Sequence, residues 1–185
     1  MTPPDFSLIL AFLRLDEAHA IQKRVLLLYP DRFKWLFNTR NTERLLVAPQ
    51  NDFWSEVHLV TKGGPDGRLL GAVTATFDLE CYTVTATSAQ CWAQPEDYSE
   101  GATDPEYIAD RATFRAARRE HLRRLCSRFR WVKWSNAASN PSLPWYRKLA
   151  TEFNGKEVGR YAGDFVLGDG TIDDKVIFQI PGSRQ

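Results

Sequence analysis

Three arginines, Arg111, Arg115 and Arg118, have the type and spacing to do chemistry. At about 100° per residue they share a helical face with Ile108, Phe114, Leu122, Leu125 and Phe129. That is the apolar face, the one a sheet would cover. Guanidinium groups there have two uses. They snorkel or pair with acids such as Glu96 and Asp97, or they meet an anion near the helix N-terminus, where backbone N–H groups also point. Tyr146 carries a phenol, which can give up a proton at neutral pH without being charged. A tyrosine in the core with one hydrogen bond is the alternative, because Trp145 is adjacent and one of the two must face inward. The Cys91 thiol has nothing nearby in sequence to lower its pKa, so it reads as buried and inert. His19, His58 and His121 are scattered, and with the three cysteines they form no metal-ligand spacing. No zinc or iron site is expected.

The elements that must position these groups follow from periodicity and punctuation. Residues 5–15 are apolar and read as a helix, and 16–37 as one or two more, interrupted by Pro30. Leu45 to Ala48 reads as a short strand, and Glu56 to Lys62 alternates as a strand. Gly63-Gly64-Pro65-Asp66-Gly67 is a turn, its glycines permitting positive φ and Pro65 presetting the entry. Arg68 to Phe77 and Cys81 to Ala93 are rich in Thr, Val, Ala and aromatic residues and form a hairpin.

A polar loop leads to Thr103-Asp104-Pro105-Glu106, a strong helix start. Thr103 or Asp104 caps, Pro105 takes the first helical position, and Glu106 can close a capping box. The helix runs to about Ser127. A strand at 131–135, a helix at 142–153 and strands at 156–167 and 175–180 complete the chain. The order implies an α/β (α+β) fold, a mixed central sheet with helices on its faces. One domain is expected over residues 1–185, helical through 44 and sheet-forming from 45 to 180.

Charge and composition remove several function classes. The net charge of +1 makes the whole molecule no polyelectrolyte. Arg119, Arg123, Arg124 and Arg128 form only a short basic patch, weak ground for nucleic-acid binding. The longest apolar stretch falls well short of the roughly 20 residues needed to span a bilayer. FSLILAFL is short and follows no positive segment, so a signal peptide is not expected. Three cysteines without a C-x-x-C spacing fit a reducing, cytoplasmic setting.

The stretch Phe129–Phe153, FRWVKWSNAASNPSLPWYRKLATEF, reads as a buried strand, an Asn/Ser-rich break and a helix bearing Tyr146. Its "Asn … Tyr-x-Lys … Phe" ending, following a hairpin and a long helix, resembles the GNAT (GCN5-related N-acetyltransferase) superfamily over about residues 45–180. The resemblance implies two N-terminal helices and a β-meander. It also implies a central helix receiving the CoA pyrophosphate, and a strand splayed from its neighbour to admit acyl-CoA.

The implied activity is direct transfer of an acyl group from acetyl-CoA or another acyl-CoA to an amine on a small molecule or protein. By position, Tyr146 protonates the departing thiolate, and Asn136 and Asn140 line the CoA arm. Glu56, working through a water, is the candidate base, with Glu80 at the hairpin turn as the other. The family's Gln/Arg-x-x-Gly-x-Gly/Ala loop has no counterpart. Its place is held by AQPEDYSEGATDPEYIADRATF, with six acids and Gly101 alone. Arg111, Arg115 and Arg118 would then have to hold the phosphates. The compact ending and Gln90-Cys91-Trp92 are also similar to small GNAT-like proteins of tailed phages. That implies an alternative: a catalytically degenerate protein of virion assembly, partnered by phage structural proteins in the virion or host cytoplasm.

Overall fold

The structure is a computed structural model that describes residues 5–12, 53–78, 80–166 and 170–183. The helices expected within 16–37 and the strand at 45–48 lie outside the described residues. Among the described residues, seven strands form one sheet: β1 (Phe6–Phe12), β2 (Phe53–Lys62), β3 (Arg68–Asp78), β4 (Thr83–Cys91), β5 (Trp131–Ala137), β6 (Lys156–Val166) and β7 (Ile172–Pro181). Their order is β1-β2-β3-β4-β5-β7-β6. The long helix α1 (Pro105–Arg128) joins β4 to β5, and α2 (Leu143–Glu152) joins β5 to β6. The β4–β5 pair is parallel, as a helical crossover requires, while β6–β7 and β5–β7 are antiparallel.

One expectation is corrected. Phe6–Phe12, read from sequence as helix, is strand β1, paired antiparallel with β2 from Phe6↔Lys62 to Phe12↔Val57. A short apolar run fits a buried helix and a strand equally well by periodicity. Backbone pairing along β2 settles it.

The described chain divides into two compact units, one running through Thr74 and again over Ala89–His121, the other made of Ala75–Ser88 with Leu122 onward. In the first unit, Val60, Leu70 and Val73 from the strands pack with Phe114 and Ala117 of α1. In the second, Val132, Trp134, Val176, Phe178 and Ile180 pack with Leu122, Leu125 and Phe129. Leu143, Leu149 and Ala150 of α2 join that same cluster. The strand residues are all even-numbered, so both described helices cover one face of β5 and β7.

Turn chemistry sets the connections. Gly63 and Gly64 have φ of 80° and 101°, and Gly67 N donates to Gly64 O, so the β2–β3 turn needs its glycines. After α2, Asn154 sits at φ 57° and Gly155 N returns to Ala150 O, which stops the helix and starts β6.

Candidate active site

Within the first unit, β2 and α1 build a buried polar cluster. Glu56 and His58 are two apart on β2 and so share a face. Arg118 and His121 are three apart on α1 and so are neighbours. Glu56 is 6% exposed, His58 9%, Arg118 1% and His121 1%. His121 Nε2 lies 3.7 Å from Glu56 Oε1, and His58 Nδ1 3.9 Å from the same oxygen. Arg118 Nη1 lies 3.2 Å from His121 Nδ1. Burial drives the His121 pKa down to about 4, helped by Arg118 and His58 and opposed by Glu56, so the ring is neutral at pH 7. Reading the sequence for metal spacing missed both histidines. The signal that finds them is the pair of intervals, Glu56–His58 on a strand and Arg118–His121 on a helix face.

The start of α1 is closed by the chain's own acids. Asp104 Oδ1 accepts from Glu106 N at 2.8 Å and Tyr107 N at 3.4 Å, while Ile108 N bonds Asp104 O. Pro105 has no N–H to give. Asp104 is therefore the cap. Burial raises its pKa, but the Glu106 N–H and the Ser99 hydroxyl outweigh that, and the carboxyl titrates below its usual range.

Glu106 pairs with Arg68 rather than closing a capping box. Asp110, fully buried one turn on, accepts from Lys62 Nζ at 2.7 Å and the Tyr98 hydroxyl at 2.8 Å. Burial, and then that bond to Asp110, push the Tyr98 phenol far up. Arg111 is half-buried near the Cys91 thiol, whose pKa burial raises against the pull of Arg111. Arg115 is exposed. Arg118 is withdrawn from solvent, facing His121 rather than the helix start.

In the second unit the β4–β5 ladder, among the described residues, holds two pairs, Thr83↔Trp131 and Val84↔Val132. β5 continues to Ala137 paired with β7 on its other side, from Trp131↔Pro181 to Ala137↔Lys175. The two parallel strands thus separate after Val132. Asn136 lies on the part of β5 beyond this point. Its Oδ1 accepts from Asn140 Nδ2 at 3.3 Å, and its own buried Nδ2 has no hydrogen-bond partner among the described residues. Asn140 Oδ1 accepts from Ser142 N at 2.8 Å, fixing the entry to α2. Tyr146 and Trp145 are both half-buried, their rings edge to face at 4.8 Å against the core cluster. Asn136, Asn140 and Tyr146 are therefore gathered by one strand–turn–helix segment, whereas Glu56 belongs to the histidine cluster on β2.

No model of a protein family and no curated protein sequence matches the chain. Solved structures do. A spermidine N-acetyltransferase SpeG chimera from Vibrio cholerae and hSSAT superposes with a TM-score of 0.55 at 13% identity, over 97% of this chain and 96% of that one. The ribosomal alpha-N-protein acetyltransferase RimL, in its apo form, gives 0.55 at 13% identity over 100% and 98%. The Vibrio cholerae spermidine N-acetyltransferase in complex with CoA and spermine gives 0.53 at 15% over 97% and 96%. With its strand order, its crossover helix and its parted β4 and β5, the chain has the fold of the GNAT superfamily of N-acetyltransferases.

Proposed function

We propose that this protein transfers an acyl group from acetyl-CoA or another acyl-CoA directly to an amine. The observation that carries this reading is the parting of β4 from β5 after Val132. Backbone N–H and C=O groups inside a sheet need partners. An extended pantetheine arm, with its two amides, can supply them as an added strand does. The unpartnered Asn136 Nδ2 gives the arm a donor, and Asn140 holds that amide in place.

The acceptor nitrogen attacks the thioester carbonyl, a β5 backbone N–H stabilises the oxyanion, and Tyr146 protonates the leaving thiolate. Glu56 is the base that prepares the amine. Arg115 and Arg111 are the candidates for the CoA phosphates, since Arg118 is turned inward. Spermidine, spermine and a protein N-terminus are the acceptors suggested by the neighbouring structures.

The test is calorimetric titration with acetyl-CoA, followed by thiol release across a panel of polyamines and N-terminal peptides. Binding in the micromolar range and CoA release dependent on one amine class support the reading. No heat at high micromolar acetyl-CoA defeats it.

A second reading has its own observation. Asp104 fills the α1 N-terminus, where helix amides would otherwise receive a phosphate. On that reading the fold survives without catalysis as an assembly or virion component. Its expected result is a folded protein with no heat in the titration.

A further inference from the structure

Glu56, His58, Arg118 and His121 are too deeply buried to be held together by chance attraction, since desolvating charge costs several kcal/mol unless it is matched. The matching can be read from hydrogen-bond chemistry. A guanidinium has N–H donors and no acceptor, so Arg118 Nη1 donates to His121 Nδ1. The Nδ1 lone pair is then in use, and the neutral ring carries its proton on Nε2. That Nε2–H faces Glu56 Oε1 at 3.7 Å, with His58 Nδ1 3.9 Å from the same oxygen. Donor polarity therefore runs from Arg118 through His121 towards one carboxylate. Among the described residues, Glu56 and His58 from β2 and Arg118 from α1 are the charged and titratable groups acting on the ring.

A divalent metal is the competing occupant, since one donor atom from each of Glu56, His58 and His121 lies within 4.8 Å of the others. Zinc holds its ligands at about 2.0–2.2 Å, which needs donors little more than about 3 Å apart. It also needs the Nε2 lone pair, with an acceptor at Nδ1 to orient the ring. Arg118 places a cationic donor at Nδ1, which fixes the opposite tautomer and repels a metal.

We propose that His121, held as its Nε2–H tautomer by Arg118, is the positioning residue that holds the Glu56 carboxylate in one orientation for deprotonating the acceptor amine. This rests on the acyl-transfer reading above. The acceptor arrives as an ammonium, and Glu56 takes one proton, directly or through one water. The freed lone pair forms the C–N bond, the C–S bond breaks, the thiolate takes up the second proton shed by the nitrogen, and Glu56 returns its own to solvent. At 3.7 Å the His121–Glu56 contact is an ion–dipole contact, and catalytic hydrogen bonds that are long without substrate tighten in the Michaelis complex.

Two variants of the full chain separate positioning from structure. His121→Gln keeps an N–H in the place of Nε2, and His121→Leu fills the space without one. In the thiol-release assay, His121→Leu is expected to move the acid limb of kcat/KM up by about one pH unit, because the carboxylate loses a donor. It should also lower kcat about tenfold at pH 7, while His121→Gln stays within about threefold of wild type.

A measurement independent of activity is the long-range proton–nitrogen correlation of the imidazoles in the wild-type protein at pH 7. The expected His121 signature is a protonated Nε2 with a bare Nδ1. An Nδ1–H ring, an imidazolium, or one equivalent of tightly bound zinc overturns the proposal. So does an unmoved acid limb in a folded His121→Leu. A wild type that shows the Nε2–H ring yet acylates no amine refutes the acyl-transfer reading instead.

Discussion

At the residue scale, Tyr146 and His121 make opposite demands on their surroundings. On the acyl-transfer reading Tyr146 needs only a position, since a phenol is a proton donor at neutral pH. Tyr146→Phe keeps the ring packed against Trp145 and removes the proton, so kcat should fall by about 10²-fold while KM for acyl-CoA holds. Steady-state kinetics against acetyl-CoA checks this. His121 needs burial. Its folded pKa of about 4 lies below the ordinary 6.5, so the unfolded chain takes up its proton first. The stabilisation is complete above pH 6.5 and is lost as pH falls from 6.5 towards 4, worth up to about 3 kcal/mol. Urea unfolding at pH 7 and pH 4.5 should show the drop, and His121→Gln should make it smaller. Tyr146 and Glu56 are candidates that the sequence offers by their place in the chain order. The tie of Glu56 to His121 was not legible. It spans 65 positions of sequence and exists only because α1 lies over β2.

At the element scale, α1 is held at its start by a side chain and its far end lies beside the C-terminal strand. Asp104 holds two helix N–H groups and accepts from Ser99 Oγ. Asp104→Ala should lower the thermal midpoint by several degrees and Asp104→Asn by less, a comparison that scanning calorimetry makes directly. Past the other end, Gly182 N donates to Arg130 O, and Ser183 N donates to Cys126 O. A Cβ on Gly182 would lie 1.8 Å from Phe129 O and 2.7 Å from Cys126 O, both backbone atoms that cannot swing aside. Gly182→Ala is therefore expected to destabilise by roughly 3 kcal/mol or more, read from chemical denaturation.

The cap motif Thr103-Asp104-Pro105 announced α1 because capping is local chemistry. Phe6–Phe12 announced nothing reliable. A seven-residue run with six apolar side chains satisfies a helix or a strand, and the choice was made by β2, more than 40 residues away.

At the scale of the whole molecule, ligand binding should register as stability. Acetyl-CoA at about a hundred times its Kd should stabilise the fold by about 2.7 kcal/mol and raise the midpoint by about 5–10 °C. Thermal shift with acetyl-CoA, CoA and adenosine diphosphate resolves which part of the donor is held, and no shift with any of them counts against acyl transfer. With a net charge of +1, any affinity for an anionic donor has to come from local contacts rather than from a long-range field.

The sequence by itself determined the order of elements from β2 onward, the turns, the α1 cap and the Tyr146-bearing ending. These rest on interactions between residues close along the chain. It also showed that the glycine-rich phosphate loop is missing. Only the tertiary structure decided that β1 is a strand, that β4 and β5 part after Val132, and that Arg118 is buried beside His121. Each of those depends on which backbone or charge lies opposite across the fold, and burial then favours the neutral ring of His121.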